Sequence, residues 1–316
     1  MTWVIGIDEA GYGPTLGPLV IGGTLWKLNQ TLSRDSFTDW TDGFAIGGLG
    51  RLRLADSKQL YRPASGMRLL EASLCAAFVT IPLPISSFRE FFLRVTERTL
   101  PVDDPWYTDW NPRQFCEVDE PLLTEISSIA TSRWGTGSTE LRRVASCVIE
   151  PVEFNQLCRS RGNKATVLTE QSLSLVNRLI DTSGSMPNEI QVYCDKHGGR
   201  NAYSAPLYHI WPDGRLRVVE ESRQLSRYQL EFDSGRKIHW NFTAKGDRHA
   251  PTALASMVAK FIRERLMAAL NLYWCHRLPA LKPTAGYPGD AARYLAAILP
   301  IAETLGIELT RLRRDR

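Results

Sequence analysis

Apolar residues recur along this chain in two rhythms. Residues 3–7 and 18–26 are almost continuously apolar and rich in Val, Ile and Gly, as strands buried on both faces are. Stretches 143–149, 190–194 and 239–244 read the same way, and 215–219 and 228–232 have strand-like content inside a long polar connection. The second rhythm is helical. Met67, Leu70, Leu74 and Phe78 follow a start near Pro63, and Val167, Leu173, Val176 and Ile180 mark a helix over 166–180. Ala255, Val258, Ile262, Leu266 and Ala269 line one face of 252–270, the most regular helical pattern in the chain. Further helices are predicted over 88–99, 121–133, 152–159 and 290–305, a strand over 79–83, and a loop or small hairpin over 29–50.

Strands interleaved with helices predict an α/β fold with a mixed central sheet and helices on both faces. The block at about 86–142, with its Pro- and Trp-rich stretch 102–112, and the connection at about 197–238 interrupt that alternation and read as insertions. A helical element at about 273–316 closes what is expected to be a single domain over 1–316. Composition adds modest bounds. With 43% hydrophobic and 23% charged residues the chain has the means for a substantial core, and a net charge of +4 permits an anionic partner without requiring one. Six scattered cysteines form no C-x-x-C pair, so reduced thiols are expected rather than a zinc knuckle or a disulfide framework. The chain enters its first strand at once and contains no apolar run long enough to span a bilayer. A cytoplasmic protein, monomeric and away from membranes, is the expectation.

Acids stand where the strands end. Asp8 and Glu9 follow the first apolar run, Asp195 the stretch 190–194, and Asp247 the stretch 239–244. Ligand sites of α/β sheets commonly gather at such ends. Carboxylates crowded there repel one another, and a hard divalent ion, Mg²⁺ or Mn²⁺, relieves the repulsion. Two such ions roughly 3.5–4 Å apart are the arrangement that cleaves phosphodiesters. Strand alternation argues against the pair, since adjacent residues point to opposite faces, so the strand must bend or end at Asp8 for both acids to serve one site. Lysine is scarce, yet Lys58, Lys196, Lys245 and Lys260 fall in or just after these stretches, as phosphate contacts would. His197 is either a proton carrier near the acids or an exposed loop histidine. The four arginines of 311–316 read as a solvated terminus.

Together these stretches resemble the type 2 ribonuclease H family, ribonuclease HII in particular. Ile-Asp-Glu-Ala-Gly-Tyr-Gly-Pro-Thr-Leu-Gly-Pro resembles its opening motif, Asp56-Ser-Lys-Gln-Leu its second, and Lys245-Gly-Asp with Ala255-Ser-Met-Val-Ala-Lys its third. Gly286-Tyr-Pro matches a late element, all in family order. The resemblance implies a ribonuclease H-like fold and two-metal hydrolysis of RNA in RNA/DNA hybrids, including ribonucleotides embedded in duplex DNA. It implies Asp8, Glu9, Asp195 and Asp247 as catalytic metal ligands, Gly11 and Gly13 as the loop that reads the ribose 2′-hydroxyl, and Tyr287 as the ring on the junction sugar. Lys58 and Lys245 are expected on backbone phosphates. Tyr12 departs from the Arg or Lys usual at its position, and Asp195-Lys-His-Gly from the usual Asp-Gly. A same-fold nuclease for another structured nucleic acid, or a non-catalytic nucleic-acid-binding protein, are the alternatives.

Overall fold

The computed structural model describes residues 2–61, 66–81, 86–108, 110, 115–181 and 188–315, with Asp247 described by its backbone alone. In chain order the elements begin with β1 (Thr2–Ala10) and β2 (Leu19–Leu28), then α1 (Thr38–Asp42), the hairpin β3 (Phe44–Ile46) and β4 (Gly50–Leu52), α2 (Ser57–Leu60) and α3 (Arg68–Phe78). The block of the predicted insertion supplies α4 (Phe88–Thr96), α5 (Pro105–Thr108) and α6 (Glu120–Trp134) before β5 (Thr139–Ile149), α7 (Pro151–Arg161), α8 (Lys164–Asp181) and β6 (Glu189–Asp195). The second half holds α9 (Ser204–Ile210), β7 (Arg215–Glu221), β8 (Leu225–Glu231) and β9 (Lys237–Thr243), then α10 (Ala250–Arg277), α11 (Pro288–Thr304) and α12 (Leu309–Leu312).

Seven strands form one mixed sheet in the order β5-β2-β1-β6-β9-β8-β7. β1 runs antiparallel to β2 and parallel to β6, and β6 runs parallel to β9, so the C-terminal ends of β1, β6 and β9 share one edge. This is the mixed, helix-flanked sheet expected from the sequence. The 197–238 connection adds β8 and β7 to that sheet as an antiparallel extension.

Why β1 and β2 are apolar throughout is clear from what covers them. Val4, Val20 and Trp26 face a core shared with α10, whereas Ile5, Ile7 and Ile21 face a core shared with α8. On the α10 side the glycines are spacers. A Cβ on Gly6 would stand 2.1 Å from the Pro251 carbonyl carbon, and one on Gly22 2.2 Å from the Ala255 oxygen, so the first turns of α10 lie directly on the sheet backbone. The Thr24 hydroxyl donates to the Pro251 carbonyl at 2.8 Å and fixes that approach.

The 86–142 block packs on the far stretch of the same helix. Phe88, Phe91 and Phe115 surround Phe261 with ring centroids 4.8–5.7 Å apart. Three expectations are corrected. Val79 to Ile81 is a turn closing α3, not a strand, and the remainder of 79–83 lies outside the described residues, as does Pro63. α9 was not expected. The arginine-rich end is not a solvated terminus: Arg314 is only 2% exposed. All six cysteines are free thiols, and among the described residues no helix is long and apolar enough to cross a membrane.

Candidate active site

β1 continues past both acids. Asp8 pairs with Gly22, Glu9 with Ile21 and Ala10 with Val20, so the strand neither ends nor breaks at Asp8, as shared use of the two acids was expected to require. By alternation Asp8 follows Gly6 onto the α10 side, and Glu9 follows Ile5 and Ile7 onto the other. The acids nevertheless act on one another. Burial first, then Asp8 and Asp195, push the Glu9 carboxyl well above the usual carboxylate range, while its own backbone N–H and Lys58 pull the other way. The parallel register pairs Ile7 with Cys194, which places Asp195 one step beyond, beside Asp8.

Asp195 ends β6 and is fixed by the chain that leaves β9. Its Oδ1 accepts the Gly246 backbone N–H at 2.9 Å. Lys245 makes that contact possible by adopting the left-handed conformation, at φ 61° and ψ 52°, one of two such non-glycine residues among those described. A Cβ at Gly246 would come within 3.0 Å of the Asp195 Cα, so glycine allows an approach that a side chain would crowd. Asp247 follows in the 3₁₀ turn Gly246–Arg248. It lies four residues beyond the end of β9 at Thr243 rather than at the strand end itself.

Lys58 is delivered by α2. Asp56 caps that helix by accepting the Lys58 backbone N–H at 3.0 Å, and Ser57 meets Ser256 of α10 hydroxyl to hydroxyl at 3.1 Å. The second and third sequence motifs are thus joined side chain to side chain. The other lysines divide. Lys196 spends its ammonium on Asn201, the Ser222 carbonyl and Ser226, all within 2.9 Å, and Lys260 pairs with Glu264 at 2.7 Å. Those two serve the fold. His197 is neither a proton carrier nor exposed. It is buried between Thr169 and Cys194, and burial, then Arg200, draws its pKa down to about 3, so it stays neutral.

Beyond Ala10 the chain turns at Gly11, φ +92°, and the loop to Leu16 is tied to the Gly286 turn, whose carbonyl accepts the N–H groups of Thr15 and Leu16 at 2.8 and 3.2 Å. Tyr287 therefore stands next to Gly13, its Cε1 3.6 Å from where a Cβ would be, with 57% of its surface open to solvent. Tyr12 is partly buried. The Lys164 ammonium stands 4.8 Å from its ring centroid, and its hydroxyl lies against Gly198. Burial, then Glu9, raise the Tyr12 phenol above its ordinary pKa, and Arg200 opposes them, so acid, ring and cations share one neighbourhood. Lys164 and Arg200 were not among the residues expected here. Their only sequence signal is the empty cationic position at Tyr12.

No protein-family model matches the chain. A stretch of 87 residues, 28% of the chain, is 34% identical to the ribonuclease HII of Methanosphaera stadtmanae. The likeness is to ribonuclease HII. The matched stretch spans 34% of that protein, about a third of its length. Among solved structures, ribonuclease HII in the PCNA complex from Archaeoglobus fulgidus overlays at a TM-score of 0.41 and 16% identity, covering 99% of this chain and 94% of that one. Ribonuclease H2 from Pyrococcus horikoshii gives 0.44 and 13% over 98% and 92%. Bst ribonuclease HIII in complex with Mn²⁺ gives 0.43 and 15% over 99% of this chain and 66% of that one.

Carboxylate oxygens are the hard donors that Mg²⁺ and Mn²⁺ prefer, and the Glu9 carboxyl is raised by burial first and then by the Asp8 and Asp195 charges, which a divalent ion would offset. Among the described residues, no three His, Cys, Asp or Glu side chains are grouped closely enough to hold an ion by themselves.

Proposed function

We propose that this chain is a metal-dependent endonuclease that hydrolyses the RNA strand of RNA/DNA hybrids, including ribonucleotides embedded in duplex DNA. The observation that carries the reading is the Glu9 carboxyl, raised by burial and by Asp8 and Asp195 at the common end of β1 and β6. Motif order and the ribonuclease HII likeness support it. Asp8, Glu9 and Asp195, with Asp247 completing the set, would hold two Mg²⁺ or Mn²⁺ ions. When bound, such a pair supplies an activated water and stabilises the leaving oxygen, which gives 5′-phosphate and 3′-hydroxyl ends. Lys58, close enough to act on Glu9, and Lys245, on the turn that fixes Asp195, hold backbone phosphates. The Gly11-Tyr12-Gly13 backbone reads the ribose 2′-hydroxyl, and the exposed Tyr287 ring packs on the sugar beside it.

Asp8→Asn, Asp195→Asn and Asp247→Asn are each expected to abolish cleavage of a labelled RNA/DNA hybrid in Mg²⁺ while leaving hybrid binding measurable. Full activity in any of the three sinks the assignment. Tyr12 favours a second reading, a nuclease of the same architecture for another structured nucleic acid, because its loop carries an aromatic ring beneath Lys164 where the family carries a cation. Faster cleavage of a branched DNA than of a long hybrid or a duplex with one embedded ribonucleotide selects that reading.

A further inference from the structure

We infer that Arg314, two residues from the end of the chain, is a positioning residue that sets the shape of the ribose-reading loop Gly11–Leu16. The inference rests on the function proposed above for that loop. The loop leaves β1 at a left-handed glycine, so its carbonyls turn out of the sheet ladder and need donors from elsewhere. Arg314 supplies them. Its Nη2 donates to the Gly11 carbonyl at 2.6 Å and to the Pro14 carbonyl, and its backbone N–H donates to Thr15 at 2.8 Å. Arg313 beside it forms an antiparallel bridge with Leu16. Each of these hydrogen bonds falls on the loop.

The arginine is itself held from α7. Its guanidinium lies over the Phe154 ring at 4.9 Å. Asn155 clamps the backbone on both sides, donating to the Arg313 carbonyl at 3.0 Å and accepting the Asp315 N–H at 2.6 Å. On the loop's other flank Arg263 of α10, 3% exposed, donates to the carbonyls of Leu16 and Ala285. Two buried guanidiniums therefore grip one short loop between β1 and the Tyr287 turn.

Stability alone does not account for such a residue. Among the described residues Nε and Nη1 of Arg314 find no acceptor, and Arg263 adds a like charge nearby, with burial the larger cause of a guanidinium pKa drawn down to about 9. A buried, incompletely satisfied cation commonly stabilises a fold no better than an apolar side chain of similar volume. Arg314 is suited instead to fixing two carbonyls that an apolar chain cannot hold.

The experiment compares wild type, Arg314→Met and Arg314→Lys in the full chain, by amide hydrogen exchange and by steady-state cleavage in Mg²⁺. In Arg314→Met the amides of residues 11–16 are expected to exchange at least about tenfold faster while those of β1 and α10 are unchanged. KM for a duplex with one embedded ribonucleotide should rise about tenfold, with kcat on a long hybrid within about twofold, since a loop displaced on the ångström scale costs up to about 10²-fold. Arg314→Lys, which keeps a donor, should recover part of the loss. Unchanged exchange at 11–16 overturns the inference, and so does unfolding of Arg314→Met or a general rise in exchange, which would make the residue a fold stabiliser. If wild type cleaves neither substrate the function proposed above falls, and the exchange data still decide whether Arg314 shapes the loop.

Discussion

One helix serves two regions of opposite character. The first turns of α10 lie against the strand ends that carry Asp8 and Asp195, where like charges are confined and a lysine turns left-handed to present one N–H. Farther along, Phe261 of the same helix is enclosed by the rings of the 86–142 block, where burial and ring contacts supply the stabilisation. The first region holds acids whose burial and mutual repulsion cost the fold. The second anchors the helix that keeps them in place. Substitutions should therefore separate activity from stability along a single element.

Asp195→Asn, expected to abolish turnover, should leave the melting temperature unchanged or raise it, because one charge leaves a crowded acidic cluster. The opposite case is Trp134→Ala. Trp134 is 2% exposed, stacks on Trp40 at 4.6 Å and donates to the Asp39 carbonyl at 2.9 Å. Its loss should cost about 3–5 kcal/mol in denaturant unfolding while kcat per folded molecule is kept. A Trp134 variant that stays stable but loses turnover would erase the distinction between the regions.

Glu150 tests the boundary between them. It stands at the N-cap position of α7, and its side chain accepts the Tyr107 hydroxyl of the block at 3.1 Å. Burial, then Asp104, push its carboxyl up to about 8. The folded protein thus holds a proton there that the unfolded chain releases near pH 4.5. The stabilisation linked to that proton is complete below pH 4.5 and fades as pH rises towards about 8. Glu150→Gln should flatten the fall of melting temperature across this window and be more stable than wild type at its upper end. An identical slope in both proteins would mean that Glu150 is ionised in the fold.

Sequence exposed these regions unequally, for physical reasons. β1, β2 and α10 were legible because each buries a long, regular face. Asp8, Glu9 and Asp195 stood out because carboxylates beside a buried apolar run are costly unless a cation meets them, although β1 runs on to Ala10 instead of ending at Asp8 as expected. The 88–99 and 121–133 patterns became α4 and α6 because they too bury a regular face. α9 was not legible: it is a seven-residue helix with one fully buried apolar side chain, Leu207, too short for a period to show. His197 and Lys196 looked like site residues because they follow Asp195, yet their partners Thr169 and Ser226 lie 28 and 30 residues away. Arg314 is the extreme case. Nothing local marks one arginine among four as buried, since the carbonyls that bury it belong to Gly11 and Pro14.

Lys164 gives the smallest and most selective test. It begins α8, far in sequence from every motif, and its ammonium lies over the Tyr12 ring, with no ion pair to an acid among the described residues. A cation so placed keeps its charge available to a backbone phosphate passing over the loop, in the position where Tyr12 itself carries none. Lys164→Ala should weaken hybrid binding similarly for all sequences and reduce the slope of log K against log salt by about 1, with little change in kcat. Lys196→Ala, by contrast, removes an ammonium already held by Asn201, Ser222 and Ser226, and should cost stability without altering the salt slope. If the two variants exchange these signatures, the phosphate path runs along β6 rather than over Tyr12. If both leave the slope intact, neither ammonium lies on the phosphate path.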